Sequence, residues 1–204
     1  MTVSRLFTFP VVALLTGCAD PRPPASAAAA VTGAPEAADS LLGSAPPEWT
    51  ADHWMNSPPL HLADLRGRVV LVRWWTDGCP FCSATAPALR RFDHDYAAKC
   101  LVVVGMYHHK CDPSGPCGPD QPLDPAVFED TARKYGFTFP VAVDPEWRTL
   151  TSWLHGVDTG FTSVTFVLDR NGVVRHVHPG GQYVEGDAAY GRLRHEIEGL
   201  LTAG

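Results

Sequence analysis

The chain has 204 residues, a length that suits one folded domain with additional segments. Its formal net charge is −6, and its content of 45% hydrophobic and 19% charged residues is ordinary for a globular protein. The acidic balance and the lack of a basic stretch exclude a surface built to hold phosphates, so no nucleic-acid partner is expected. Six cysteines are too few for a small disulfide-stabilised fold, and their positions therefore decide how they are interpreted.

Residues 1–17 have the pattern of a secretory signal peptide. Arg5 precedes an apolar stretch over 6–15 that is much shorter than the roughly 20 residues a membrane-spanning helix needs. The stretch 15–18, Leu-Thr-Gly-Cys, resembles the lipobox of bacterial lipoproteins, which implies cleavage before Cys18 and lipid attachment to that cysteine. Several acyl chains together give stable membrane attachment. The alternative is an ordinary cleaved signal peptide in which Cys18 has no special role.

Residues 18–47 are rich in alanine, proline and serine and contain few large apolar side chains. A segment of this composition cannot bury enough apolar surface to offset its conformational entropy. We therefore expect a flexible tether that holds a folded domain, residues 48–204, away from a membrane of the cell envelope, facing the periplasm or exterior. Ala19 rather than aspartate follows Cys18, which in a double-membraned bacterium resembles sorting to the outer membrane.

The hydrophobic pattern of the domain predicts alternating strands and helices. In chain order it predicts a strand at 49–54, a buried strand at 69–75, a helix over 80–96, a buried strand at 101–107, a helix over 126–135, a strand at 141–143, a short helix over 149–154, strands at 164–168 and 173–177, and a closing helix over 187–201. The pair Asn171-Gly172 predicts a hairpin between the last two strands. This order indicates a thioredoxin-like α/β fold, with a central mixed sheet flanked by helices and an N-terminal extension.

A Cys-Pro-Phe-Cys dithiol, formed by Cys79 and Cys82, stands at the expected start of the first helix, directly after a buried strand. Unpaired backbone N–H groups and the helix dipole favour a negative charge there, so Cys79 is expected to form the nucleophilic thiolate. Cys82, one turn into the helix, is then the resolving thiol. A structural disulfide at this spacing closes too short a loop to stabilise much, and a zinc site needs a second matching pair.

The stretch 73–82, Arg-Trp-Trp-Thr-Asp-Gly-Cys-Pro-Phe-Cys, resembles the active site of the TlpA/ResA-type thioredoxin-like proteins. The likeness extends from Leu60 to about Leu201 and includes the stretches 62–68, 139–141 and 165–169. It implies an exported, membrane-tethered thiol–disulfide oxidoreductase that acts on cysteine-containing exported proteins. It also implies an electron-donating redox partner and no bound cofactor.

Two residues beside the dithiol refine this expectation. Asp77 disfavours a thiolate slightly and so favours a reductase of protein disulfides over an oxidant. Ser163 stands where the family has a cis-proline facing the dithiol. A cis bond before a residue other than proline costs roughly 3 kcal/mol, so a trans peptide is expected at Ser163.

Two other activities are compatible with the same residues. Thr76 precedes Cys79 with the threonine-x-x-cysteine spacing found in peroxiredoxins, so peroxide reduction is the alternative enzymatic activity. His108, after the strand at 101–107, corresponds to the place of an acid beside the dithiol in ResA-type proteins. It is either a proton acceptor for Cys82 or a solvated loop histidine. A copper carrier of Sco type would use this histidine with the two cysteines, although Sco proteins have Cys-x-x-x-Cys spacing, and no metal ligand is assigned.

The other cysteines have separate interpretations. Cys100, at the start of a buried strand, is expected to be a buried free thiol. Cys111 and Cys117 flank a turn-rich loop, where a local disulfide is expected, with a second redox pair or a metal site as alternatives. The loop 179–183, which follows two histidines of the last strand, either borders the site or is an ordinary turn.

Overall fold

The computed structural model describes residues 41–109, 123–154 and 162–203. The strands in these ranges are β1 (Asp52–Met55), β2 (Val69–Trp75), β3 (Leu101–Tyr107), β4 (Val141–Val143), β5 (Thr165–Leu168) and β6 (Val174–His178). The α-helices are α1 (Pro80–Tyr96), α2 (Pro125–Tyr135), α3 (Arg148–Trp153) and α4 (Ala188–Thr202). The predicted order of strands and helices is confirmed, and the ends differ from the prediction by a few residues at most.

The strands form one mixed sheet in the order β1-β4-β3-β2-β5-β6. The central strand β2 runs parallel to β3 and antiparallel to β5, and all of its residues are buried. Its apolar, β-branched run suits a strand covered on both faces. The expected hairpin joins β5 and β6, which pair antiparallel. Because β2 has neighbours on both sides, its C-terminal end lies near the centre of the row of strand ends, and the helix α1 begins just after it.

Two apolar layers cover the sheet. Helices α1, α2 and α4 contribute Phe92, Phe128 and Leu193 to one layer, where Trp75 of β2 also lies. The helix α3 and the segment before β2 cover the other face, where Trp74 packs against Trp153 with ring centroids 5.3 Å apart. Alternate residues of β2 thus face opposite layers, as the two-residue period of a strand requires. No helix among the described residues is both long enough and apolar enough to span a membrane.

The segment before β1 is attached to the sheet from Leu41 onward. Leu41 is buried, and the backbone of Gly43 and Ser44 exchanges hydrogen bonds of 2.9 Å with Val174 of the edge strand β6. The start of the range 41–47, which its composition assigns to the tether, is thus attached to the edge strand through the buried Leu41 and these backbone hydrogen bonds. The signal peptide and residues 18–40 lie outside the described residues.

Candidate active site

The dithiol lies where β2 passes into α1. Cys79 is the N-cap residue of α1, and Pro80 occupies the first helical position, where its missing N–H costs nothing. Cys79 is half-buried, whereas Cys82, one turn further, is 3% exposed. Both are free thiols, and the backbone N–H of Cys82 donates a hydrogen bond to Sγ of Cys79 over 3.2 Å. The expected placement of the pair at a helix start is confirmed.

The two thiols differ strongly in acidity. Hydrogen bonding to the Cys82 side chain lowers the pKa of Cys79 to about 6, with further help from the backbone N–H groups of Cys82 and Phe81 and from Thr76, although burial opposes the shift. The same hydrogen bond to Cys79, together with burial, raises the pKa of Cys82. At neutral pH the half-buried Cys79 is therefore a thiolate, and the buried Cys82 keeps its proton. This is the division that a nucleophile and a resolving thiol need.

Thr76 is brought to the dithiol as the sequence predicts. The residue is buried, and its side chain is a hydrogen-bond partner that contributes to the lowered pKa of Cys79. Its backbone is a hydrogen-bond partner of Cys82. Thr76 therefore contacts both sulfur-bearing residues from the turn that joins β2 to α1.

Two tyrosines beside the dithiol were not predicted. The hydroxyl of Tyr107, at the end of β3, donates a 2.9 Å hydrogen bond to the Asp77 carboxylate. Burial, with the nearby Asp77, raises the pKa of Tyr107. Burial also raises the pKa of Tyr135 to about 12, and electrostatic interaction with the two cysteines of the dithiol adds to this shift. Both tyrosine side chains are thus uncharged at neutral pH and border the site. The register of β2 with β3, which pairs Trp75 with Tyr107, is what brings the first of them there.

Arg73 is a further residue that the sequence analysis did not assign. It lies within β2 and is 1% exposed. Its guanidinium donates hydrogen bonds to Oγ1 of Thr165 over 3.0 Å and to the carbonyl oxygen of Gly181 over 2.7 Å, and it lies 5.1 Å from the centre of the Tyr183 ring. The feature of the sequence that could have identified Arg73 is the presence of a charged residue within an otherwise apolar strand. The loop 179–183 is thereby connected to the strand that leads into the dithiol.

Ser163 holds the same loop from another side. Its hydroxyl accepts a 3.1 Å hydrogen bond from the backbone N–H of Gly181. Trp74 of β2 donates to the carbonyl oxygen of Val164, so Ser163 lies near the end of β2 at which α1 begins. No described residue has a cis peptide bond, which confirms the expected trans peptide at Ser163.

His108 makes aromatic contacts in the structure. Its ring stacks on Trp147 with centroids 4.4 Å apart and an interplanar angle of 6°, and it also stacks on His109. Burial lowers the pKa of His108, so the ring is neutral at neutral pH. Trp147 has a positive φ of 58°, an uncommon conformation for an aromatic residue, which sets it against the histidine. Proton transfer between His108 and Cys82 stays a prediction, because the contacts shown for the imidazole are these two rings and a 2.9 Å hydrogen bond between its Nδ1 and the carbonyl oxygen of His109.

Cys100 differs from its prediction. It lies just before β3 in the left-handed conformation, with φ of 73°, is half-buried and is disulfide-bonded. The expectation of a buried free thiol is therefore wrong, because the residue is in the turn and not in the strand. Cys18, Cys111 and Cys117 lie outside the described residues, so lipid attachment and the local disulfide stay predictions. Within residues 41–109, 123–154 and 162–203, no group of three or more His, Cys, Asp or Glu side chains is arranged to hold a metal ion.

Sequence comparison finds relatives of this domain. The AhpC/TSA family matches residues 42–177. The chain is 27% identical over 150 residues to the protein DipZ of Mycobacterium bovis, a match that covers 71% of this chain and 19% of DipZ. It is 23% identical to the thiol-disulfide oxidoreductase ResA of Geobacillus kaustophilus, with 58% of this chain and 59% of ResA covered. It is 32% identical to the putative peroxiredoxin MT2597 of Mycobacterium tuberculosis, with 55% and 69% covered. The chain thus spans only part of these relatives, and about a fifth of DipZ.

Solved structures show the same fold. The thioredoxin-like superfamily protein SPOA0173 superimposes with a TM-score of 0.62 at 25% identity, covering 78% of this chain and 97% of that protein. The putative thiol:disulfide interchange protein DsbE from Chlorobium tepidum has a TM-score of 0.61 at 24% identity, with 78% of this chain and 97% of that protein covered. The predicted thioredoxin-like fold and the resemblance to ResA-type proteins are therefore confirmed.

Proposed function

Because the chain belongs to the AhpC/TSA family, we propose that it is a thiol–disulfide oxidoreductase whose Cys79–Cys82 dithiol reduces disulfides of exported proteins. Relatives of the chain include proteins named thiol-disulfide oxidoreductase, which is an enzyme class. The observation that carries the proposal is the difference between the two thiols. A half-buried thiolate at the start of α1 is next to a buried, protonated thiol that supports it with a hydrogen bond.

The reaction proceeds in two exchanges. The Cys79 thiolate attacks one sulfur of the client disulfide, forms a mixed disulfide and expels the other client sulfur as a thiolate, which takes up a proton. Cys82 then loses its proton to solvent and attacks Sγ of Cys79. The Cys79–Cys82 disulfide forms, the second client thiolate leaves, and two electrons have moved from the dithiol to the client. An electron-donating redox partner restores the dithiol.

The acidity of Cys79 supports a reducing role. Its pKa of about 6 is nearer to the value of roughly 7 for thioredoxin than to that of roughly 3.5 for the oxidant DsbA. A thiolate that is less strongly stabilised makes the reduced form a better electron donor. Equilibration with a glutathione buffer measures this directly. A reduction potential near about −270 mV, that of thioredoxin, supports a reductase, whereas a value near about −120 mV, that of DsbA, contradicts it.

The client proteins and the dithiol meet outside the cytoplasm in this proposal. The lipobox-like stretch 15–18 and the composition of residues 19–40 support a lipid anchor at Cys18 followed by a tether. In a cell with two membranes, the outer one is the favoured site of attachment. The tether leads into Leu41, where packing on the sheet begins.

Trapping of the mixed disulfide tests the function. In the full chain, Cys82→Ala removes the resolving thiol, so Cys79 is expected to remain bound to client proteins in adducts that a reducing agent releases. The matched control is Cys79→Ala, which lacks the nucleophile and should trap nothing. Absence of protein adducts on the Cys82→Ala variant would contradict the proposal.

Peroxide reduction is the second candidate, and the contact of Thr76 with Cys79 is the observation that favours it. The similarity to a putative peroxiredoxin agrees with it. In this reaction the Cys79 thiolate attacks one oxygen of hydrogen peroxide, the O–O bond breaks, and the other oxygen leaves as hydroxide, which takes up a proton to become water. The resulting sulfenic acid condenses with Cys82 to form the Cys79–Cys82 disulfide and releases a second water. Rapid peroxide consumption that is lost in Thr76→Val, without protein adducts in Cys82→Ala, would favour the peroxidase.

A further inference from the structure

Arg73 is a buried cation in β2, the strand that leads into the dithiol, and its guanidinium lies over the ring of Tyr183, whose backbone N–H donates a hydrogen bond to Thr85 of α1, one turn after Cys82. The Arg73 side chain faces the same layer as Trp75 and α1, because residues 73 and 75 share one face of β2. Its hydrogen-bond partners, Oγ1 of Thr165 and the carbonyl oxygen of Gly181, are both neutral. Among the described residues no carboxylate forms an ion pair with the guanidinium, and its Nε is buried without a partner. Burying a charge without a counter-charge costs free energy, so a residue kept in this arrangement is a candidate for a functional role.

The resolving step of the proposed reaction has an electrostatic demand at the same place. Cys82 must become a thiolate although it is 3% exposed, and burial opposes this ionisation. In the free dithiol its proton is held by the hydrogen bond to Cys79. Once Cys79 is in the mixed disulfide, that sulfur is neutral and the hydrogen bond no longer has a thiolate as acceptor. Backbone contact with Thr76 and the positive charge of Arg73 are then the influences that favour a Cys82 thiolate.

Among the described groups that act on Cys82, Arg73 is the one that supplies a positive charge. Tyr135 of α2 and Tyr183 before α4 have raised pKa values because they are buried, so both are neutral. His178 of β6 lies against Tyr183, and burial, with the Arg73 charge, lowers its pKa to about 4, so it is neutral as well. On the β3 side, the carboxylate of Asp77 is engaged by Tyr107.

We propose that Arg73 is a positioning residue for the resolving step, in which its buried guanidinium stabilises the thiolate of Cys82 as that sulfur attacks the mixed disulfide. The proposal rests on the dithiol exchange proposed above and adds what activates its second half. The covalent changes are those already given: Cys82 loses a proton to solvent, the Cys79–Cys82 bond forms, and the client thiolate leaves with the electron pair. Arg73 neither donates nor accepts a proton in these changes.

One substrate separates the two exchanges. An aromatic disulfide that releases thionitrobenzoate gives one coloured thiolate when Cys79 attacks and a second when Cys82 resolves the mixed disulfide. Absorbance in a stopped-flow instrument follows both releases in the full chain as a function of pH. The first release reports the Cys79 thiolate, and the second reports ionisation and attack of Cys82.

Arg73→Met removes the charge and retains much of the side-chain volume. An adjacent opposite charge shifts a pKa by about 1–3 units, so the pH midpoint of the second release should rise by about that amount. Because a less acidic thiol is a stronger nucleophile, the rate below the midpoint should fall only about threefold for each unit. The midpoint of the first release should move much less, because the main influences on the pKa of Cys79 are hydrogen bonds from Cys82, Phe81 and Thr76 and burial. Arg73→Lys, the matched control, retains the charge and should stay near the original midpoint.

A purely structural role for Arg73 predicts a different result. Loss of packing would slow both releases together, or would slow the second release without moving its pH midpoint, and either result overturns the proposal. If Arg73→Met does not fold, Arg73→Gln supplies the same comparison, since its amide can still donate to Gly181. A failure of the proposed function itself gives a different result, because the unaltered protein would then show a first release of thionitrobenzoate and no second release.

Discussion

The backbone N–H of Cys82 donates its hydrogen bond to Sγ of Cys79, over 3.2 Å, from within the first turn of α1. Cys82 thus stabilises the Cys79 thiolate with a hydrogen bond before it attacks the mixed disulfide that Cys79 forms. This geometry depends on α1 starting at Pro80, since only the unpaired N–H groups of a helix start are available to a preceding side chain.

The acidity of Cys79 should be visible in its reaction with iodoacetamide. Only the thiolate reacts, so the rate should rise with pH around a midpoint of about 6 and then level off. In Cys82→Ala the side-chain hydrogen bond is lost and the midpoint should rise, while Ser83→Ala, on the exposed face of the same turn, should leave it unchanged. A midpoint near the ordinary cysteine value of 9.0 in the unaltered protein would contradict the assignment.

The same thiolate should make the stability of the reduced protein depend on pH. The pKa of Cys79 is lower in the folded than in the unfolded state, so the folded state is favoured once the thiolate forms. This stabilisation is present above the unfolded value of 9.0 and is lost as pH falls through about 6. Urea unfolding under reducing conditions measures it. The difference in the free energy of unfolding between the unaltered protein and Cys79→Ser should grow as pH rises from about 6 to about 8; a constant difference would refute this linkage.

Gly105 of β3 lies close to the Trp75 side chain of β2. A Cβ at this position would approach Nε1 of Trp75 and Cγ1 of Val141 to 2.9 Å each. Gly105→Ala should therefore lower the free energy of unfolding by about 1–3 kcal/mol, the usual cost of overpacking a core. Gly191→Ala is the matched control, because Gly191 is in α4 with open space around it, and it should raise stability by about 0.5–1 kcal/mol. Thermal unfolding of both variants checks the pair, and an unaffected Gly105→Ala would show that Trp75 has room to move.

Lipid attachment at Cys18 should decide where the protein is found. Cell fractionation and labelling with a radioactive fatty acid should place the unaltered protein in the membrane fraction with bound label. Cys18→Ala should lose the label, while Cys79→Ala should keep it, since that cysteine is in the dithiol. An unlabelled protein cleaved elsewhere would support the ordinary signal peptide instead.

Local patterns were sufficient for much of the fold. The continuous apolar run of β2, the proline after Cys79 and the Asn171-Gly172 pair each act through neighbouring residues, so their consequences could be read without a structure. The trans peptide at Ser163 also followed from local chemistry, since a residue other than proline gives little reason for a cis bond.

Contacts between distant residues were beyond such patterns. Leu41 is one of a few large aliphatic residues in a segment of low apolar content, and only its place against the edge of the sheet shows that it is buried. Cys100 was expected to be a buried free thiol at the start of a strand, although it lies half-buried in the turn before β3 in a left-handed conformation and is disulfide-bonded.

By itself, the sequence determined the dithiol, the helix that presents it and the order of the elements, because these depend on spacing along the chain. The tertiary structure decided the surroundings of Cys82. The neighbours of Arg73 come from distant parts of the chain: β5 supplies Thr165, the loop before α4 supplies Gly181, and packing leaves the Arg73 side chain 1% exposed. A charge acts strongly only where solvent does not screen it, and that condition is set by packing.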